Sequence, residues 1–197
     1  MGKMITVIIA AAGKGTRLNG IPKAFVKLGG RHLIYYSLDT FCHRADEVII
    51  VFPEKYVKRF AEAGAEMLTF HYEAAENPGE VIELIRRQGI KVGITINPDV
   101  PVAALRPYID KVDMVLLMSV FAGYGGQKFI EESYDRLKEL KDMVDELNPA
   151  CMIQVDGGVS IHNAKKLFDH GANVLVAGSA VFNAPDPEEM IQSMLKV

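Results

Sequence analysis

Short apolar runs alternate with amphipathic stretches along almost the whole chain. The apolar runs are Met4–Ala10, Glu47–Phe52, Met67–Tyr72, Lys91–Asn97, Met114–Val120, Met152–Asp156 and Val174–Ala177. They are rich in Val, Ile and Met and lack polar alternation, the pattern of strands buried on both faces. Helices are predicted between them. Leu33–Cys42 has spaced apolar positions, and Glu54–Ala63 follows Pro53, a good first-turn residue. Val81–Gln88 and Ile161–His170 stop at Gly89 and Gly171. Val102–Ile109 is broken by Pro107, Phe129–Leu147 is the longest, and Pro187–Leu195 closes the chain. Strand, helix and strand joined by short connections predict parallel β/α units.

Seven strands and about seven helices fall one unit short of a closed eight-stranded barrel, which usually needs ~250 residues. The chain has 197. Ala24–Leu28 is a candidate for a small eighth strand. The expectation is one α/β domain over residues 1–197, TIM-barrel-like, incomplete or seven-to-eight-stranded. No Ser/Pro-rich linker interrupts it.

Composition narrows the classes. With 49% apolar and 24% charged residues, a large core can form and disorder is not expected. No apolar run approaches the ~20 residues of a membrane span. The N-terminal apolar run reads as a buried strand rather than a signal peptide. The two cysteines, Cys42 and Cys151, lie far apart and outside any metal-binding spacing. They read as reduced core thiols of a cytoplasmic protein. Net charge is −3, but residues 1–52 are net basic and residues 53–197 net acidic. The basic part has no aromatic interleaving and no Arg-rich helix, so no nucleic-acid surface is expected.

The C-terminal half carries the more specific chemistry. Gly123-Tyr124-Gly125-Gly126-Gln127 follows the strand at Met118, Gly157-Gly158 follows Asp156, and Gly178-Ser179 follows Ala177. Glycines just past successive parallel strands leave backbone N–H groups free to converge on a dianion. Phosphate sites after the last two strands are common in barrels. Asp156, at a strand end beside that site, is placed to act as an acid or base.

These residues resemble a family. From about Pro53 to the end, the segments MSVFAGYGGQ, VDGG and VAGSAVF are similar to those of ribulose-phosphate 3-epimerases, metal-dependent (β/α)8 barrels. The resemblance implies Asp156 as acid/base and metal ligand and Met118 in the pocket. It implies the sugar phosphate held by Gly125, Gly126, Gly157, Gly158, Gly178 and Ser179. Phe121-Ala122 stands where the family has Asn-Pro. The family also takes a second Asp and two metal-binding His from early HxDxMDG-like and HLM-like strands. Here the corresponding strand reads Glu47-Val48-Ile49-Ile50-Val51-Phe52, and none of the five histidines falls at a matching position. No metal site is assigned. A divalent cation belongs to a complete site of this kind, but its His ligands are missing, so no cofactor is expected. Inverting a carbon beside a carbonyl needs a base, an opposed acid and charge stabilisation. With only Asp156 in view, epimerase activity is expected to be absent or very low. Glu47, Glu73 or His71 facing Asp156 across a pocket would change that.

At the other end, Ala11-Ala12-Gly13-Lys14-Gly15-Thr16-Arg17-Leu18 follows a strand and precedes Pro22-Lys23. Lys14, Arg17 and Lys23 around one loop suffice to surround a triphosphate. Residues 3 to about 52 resemble the N-terminal, Rossmann-like βαβ of the cytidylyltransferases of isoprenoid synthesis. The resemblance implies a CTP-phosphate loop of Ala12, Gly13, Lys14, Gly15, Arg17 and Lys23. The expectation is therefore a chimera, engineered or recombined, with a seam near residue 52. It keeps phosphate-binding loops but not complete catalytic machinery. The alternatives are an epimerase-like isomerase and a nucleotide-binding or nucleotidyl-transferring protein. The expected ligand is a small phosphorylated molecule: a sugar phosphate, a phosphate or sulfate ion, or CTP. An unpaired strand edge would favour a homodimer.

Overall fold

The run Met-Val-Leu-Leu-Met at residues 114–118 is buried at all five positions, so both faces of this strand are covered. That burial sets the architecture: an all-apolar strand needs partners on either side and layers above and below. The computed structural model describes residues 6–10, 26–33, 36, 47–51, 57–62, 65–122 and 126–197. They fall into two units. One is Met1–Phe70 with Ala74–Val92, and the other is His71–Glu73 with Gly93–Val197.

In the first unit, β1 (Thr6–Ala10) begins the described chain, and β2 (Lys27–Leu28) and β3 (Arg31–His32) form a short hairpin. β4 (Glu47–Val51) and β5 (Met67–His71) follow, the last residue of β5 belonging to the second unit. β1, β4 and β5 run parallel in that order, with Ile8 opposite Ile49 and Ile50 opposite Leu68. The first helix, α1 (Val57–Glu62), buries Val57 and Phe60. The second, α2 (Pro78–Arg86), starts with Pro78 in its first turn and buries Val81, Ile82 and Ile85 on one stripe.

In the second unit, β6 (Lys91–Ile96, its first two residues belonging to the first unit), β7 (Met114–Met118), β8 (Met152–Asp156) and β9 (Val174–Val176) run parallel in sequence order. The helices are α3 (Ser133–Leu147), α4 (Ile161–Asp169), α5 (Ser179–Phe182) and α6 (Pro187–Met194). Tyr134, Leu137, Leu140 and Val144 form the buried stripe of α3. Asp186 caps α6 by accepting from the amides of Glu188 and Glu189, both at 3.0 Å.

The seven expected parallel strands are present within one or two residues of their predicted ends. Three expectations shift. Ala24–Leu28 does not add to the parallel set, because Lys27–Leu28 turns back through Gly29-Gly30 and pairs antiparallel with Arg31–His32. Val102–Ile109 is not one helix. Val102–Leu105 and Ile109–Lys111 are separate 3₁₀ turns, since Pro107 has no N–H to continue a ladder. The long helix starts at Ser133 rather than Phe129, and the Ile130 amide before it is bonded to the Ser119 carbonyl at 3.0 Å. Of the helix expected over 33–42, only Leu33 and Tyr36 lie within the described residues.

Leu117 is fully buried at the centre of β7. Leu117→Ala is expected to lower stability by about 2–5 kcal/mol, read as a lower urea midpoint at unchanged slope.

Candidate active site at the carboxyl ends of β7, β8 and β9

Ser119, the first residue past β7, ties that strand end to the next. Its amide and hydroxyl both donate to the Asp156 carbonyl, at 2.8 and 2.9 Å. The hydroxyl also lies 2.7 Å from the Gly157 carbonyl. Val120 and Phe129 lie directly against the β8 end. A Cβ on Gly157 would lie 2.5 Å from Val120 Cγ2 and 2.8 Å from its nitrogen. One on Gly158 would lie 2.6 Å from the Phe129 nitrogen. Both glycines have positive φ, 120° and 62°. The Gly-Gly pair is thus required by close packing whatever else its amides bind.

Asp156 closes β8 opposite Met118, in register. Burial alone pushes its carboxyl above the ordinary carboxylate range. Met118 is buried with Leu116 and Val120. The second glycine pair falls at the neighbouring strand end, since β9 pairs with β8 and Val176 lies opposite Asp156. Gly178 and Ser179 are exposed there, with Ser179 opening α5. Gly126 has φ 75°, and the Gln127 side chain donates to the Phe121 carbonyl at 2.7 Å. Gly125 lies outside the described residues, as do Ala12, Gly13, Lys14, Gly15, Arg17 and Lys23 of the N-terminal loop.

Three residues that sequence reasoning did not combine form a network in the same unit. Glu73 Oε1 accepts from the Asn97 amide at 2.6 Å, and His71 Nδ1 lies 3.6 Å from Glu73 Oε2. Burial works against the Glu73 carboxylate, but the bonds from His71 and Asn97 outweigh it and hold the group below its ordinary value. Asn97 Oδ1 in turn accepts from the Ala122 amide at 3.1 Å. Arg136, on α3, donates to the carbonyls of Asn97 and Val100 at 2.9 and 2.8 Å, with a longer 3.4 Å contact to the Met118 carbonyl. Burial pulls the Arg136 guanidinium below its usual value, while Glu139, Asp99 and Glu73 oppose that shift. The signal in the sequence was a lone Arg bordering the apolar stripe of α3.

A resident metal is testable against these donors. His71 is engaged with Glu73, and among the described residues no three His, Cys, Asp or Glu side chains gather as a ligand set. Cys151 is buried, and burial pushes its thiol up to about 12, so it is an inert core residue. Cys42 lies outside the described residues. Among the described residues, no helix is long and apolar enough to cross a membrane.

A row of parallel β/α units with glycines and an acid at the strand carboxyl ends defines a TIM-barrel-like α/β fold. The chain is similar in fold to the tryptophan synthase α2β2 complex of Pyrococcus furiosus, with TM-score 0.66, 17% identity and all of both chains covered. It is also similar to 3-hexulose-6-phosphate synthase of Salmonella typhimurium, with TM-score 0.64, 18% identity, and 98% of this chain and 97% of that one covered. Sequence narrows the class to one family. The chain belongs to the ribulose-phosphate 3 epimerase family, which it matches over residues 42–182. It is 40% identical over 153 residues to the ribulose-phosphate 3-epimerase of Schizosaccharomyces pombe, covering 78% of this chain and 64% of that protein. To that of Bacillus subtilis it is 43% identical over 143 residues, covering 72% and 66%. The chain thus spans just under two thirds of the length of these relatives.

These findings overturn the expectation of a chimera, engineered or recombined, without complete catalytic machinery. The family match begins at residue 42, inside the segment read as nucleotidyltransferase-like, and identity near 40% extends over most of the chain. Family membership backs the epimerase alternative instead. The comparisons lend no support to a Rossmann-like cytidylyltransferase segment.

The two glycine pairs differ in a way that mutation can read. Gly157→Ala is expected to cost more than about 1–3 kcal/mol, because φ 120° and the Val120 contact both oppose a side chain. Nothing lies within 4 Å of a Cβ on Gly178. Gly178→Ala should stay within about 0.5 kcal/mol of the parent. Urea midpoints of the two variants check this.

Proposed function

We propose that the chain is a ribulose-phosphate 3-epimerase, which binds a phosphorylated keto-sugar and moves a proton at the carbon beside its carbonyl. Asp156 carries the reading. It sits at a strand carboxyl end, and burial raises its carboxyl above the ordinary carboxylate range, which makes its carboxylate a stronger base. In this scheme Asp156 removes the proton on one face of the sugar carbon. The amides of Gly157, Gly158, Gly178 and Ser179, with the Gly125-Gly126 loop, hold the phosphate. Met118 and Val120 form the apolar floor that keeps water from the Asp156 carboxyl. The family match and the curated relatives support this assignment.

The test is deuterium uptake. In D₂O the protein should place deuterium at carbon 3 of ribulose 5-phosphate, and Asp156→Asn should slow this by about 10²–10⁴-fold. Absence of uptake by the parent, or an unchanged rate in the variant, would count against the reading.

The same residue predicts a pH signature in stability. A carboxyl raised in the folded state binds more protons folded than unfolded between its two pKa values. Stability therefore falls as pH rises from the unfolded value through the folded one. Asp156→Asn should raise the melting temperature at neutral pH. The gain should vanish in acid below the unfolded value, where Asp156 is protonated in both states. Melting curves across that pH range measure it.

A further inference from the structure

We propose that Arg136 is a positioning residue that clasps the ends of β6 and β7 and, through Asn97, fixes Ala122 just beyond the end of β7. The inference rests on the epimerase reading for its catalytic arm only. A carbonyl past the end of a strand has no ladder partner and must be satisfied otherwise. Arg136 satisfies those of Asn97 and Val100 with one nitrogen, at 2.9 and 2.8 Å, and reaches that of Met118 with the other. The planar guanidinium presents its donors in a fixed fork, which a lysine ammonium cannot reproduce.

The clasp is continuous with the loop after β7. Asn97 is held from three directions: its carbonyl by Arg136, its amide by Glu73 Oε1 at 2.6 Å, and its side-chain oxygen by the Ala122 amide at 3.1 Å. Ala122 lies two residues past Val120, which packs against Gly157. Loss of Arg136 therefore frees the Asn97 backbone, and with it the anchor of Ala122. Arg136 touches neither Asp156 nor the glycine pairs in this network, so its effect falls on substrate capture rather than on proton transfer.

The experiment compares residue-resolved amide hydrogen exchange with steady-state kinetics on ribulose 5-phosphate. It uses the parent chain, Arg136→Ala, Arg136→Lys and Asn97→Ala. Arg136→Ala should speed exchange at Asn97 and Ala122 by about tenfold, the scale of a lost hydrogen bond, with the mid-strand amides of Leu116 and Val155 unchanged. Its KM should rise about tenfold with kcat within about twofold, and Arg136→Lys should recover part of both effects. Asn97→Ala should speed exchange at Ala122 while leaving the carbonyl contacts of Arg136 in place. If Arg136→Ala does not fold, Arg136→Lys and Asn97→Ala decide by the same readouts. Wild-type exchange at Asn97 and Ala122, or equal acceleration of every amide, would overturn the clasp. The exchange arm needs no substrate, so an inactive parent chain would refute the epimerase reading and leave the clasp to stand or fall separately.

Discussion

Val120 and Phe129 can lie against the end of β8 only because positions 157 and 158 carry no side chain. Distances of 2.5 and 2.6 Å from hypothetical Cβ atoms to Val120 and to the Phe129 backbone leave no room for one. Much of the candidate site follows from that contact. Ser119 can bond both the Asp156 and Gly157 carbonyls because the two strand ends meet without a spacer. Phe129 packs on the Tyr134 ring with centroids 5.0 Å apart, which ties the loop's far end to the first turn of α3. Asp156 ends β8 in register with the buried Met118, and burial raises its carboxyl.

Around this contact lies a second layer of polar order. Charge-assisted bonds tie Asn97, just after β6, to Glu73 and Arg136, and the Asn97 side chain accepts from Ala122 in the loop after β7. Deeper in the strands, Thr95 and Gln154 are fully buried without a protein partner for their side chains. Thr95 pairs with Leu116 and Leu116 with Gln154, so these polar groups share a layer two residues below Met118 and Asp156. Buried polar groups at this depth cost stability and are characteristic of working strand ends rather than of plain core.

The parallel strands were legible because burial on both faces leaves an unambiguous mark, and Met152–Asp156 was read to the residue. The places where the reading slipped share a cause. Phe129–Ile130 looked helical by spacing, but a long-range bond to Ser119 holds them in the loop. The pair at 157–158 was read for its phosphate-binding amides alone. Its packing role was invisible because it depends on Val120 and Phe129, about thirty to forty residues away in sequence. Glu73 and Arg136 lie 63 positions apart in number and meet only through Asn97. No local pattern announces such a network. The change in basic and acidic balance near residue 52 suggested two origins, whereas the family match runs through that point from residue 42.

In the proposed function, the ends of β7, β8 and β9 form a site for a phosphorylated keto-sugar. Thermal unfolding with and without ribulose 5-phosphate tests it most directly. A ligand bound only to the folded state, at a hundredfold over its dissociation constant, adds about 2.7 kcal/mol. The account predicts one cooperative transition moved upward by the sugar phosphate, more than by inorganic phosphate at equal concentration. A transition that the sugar phosphate leaves in place at millimolar concentration would contradict it.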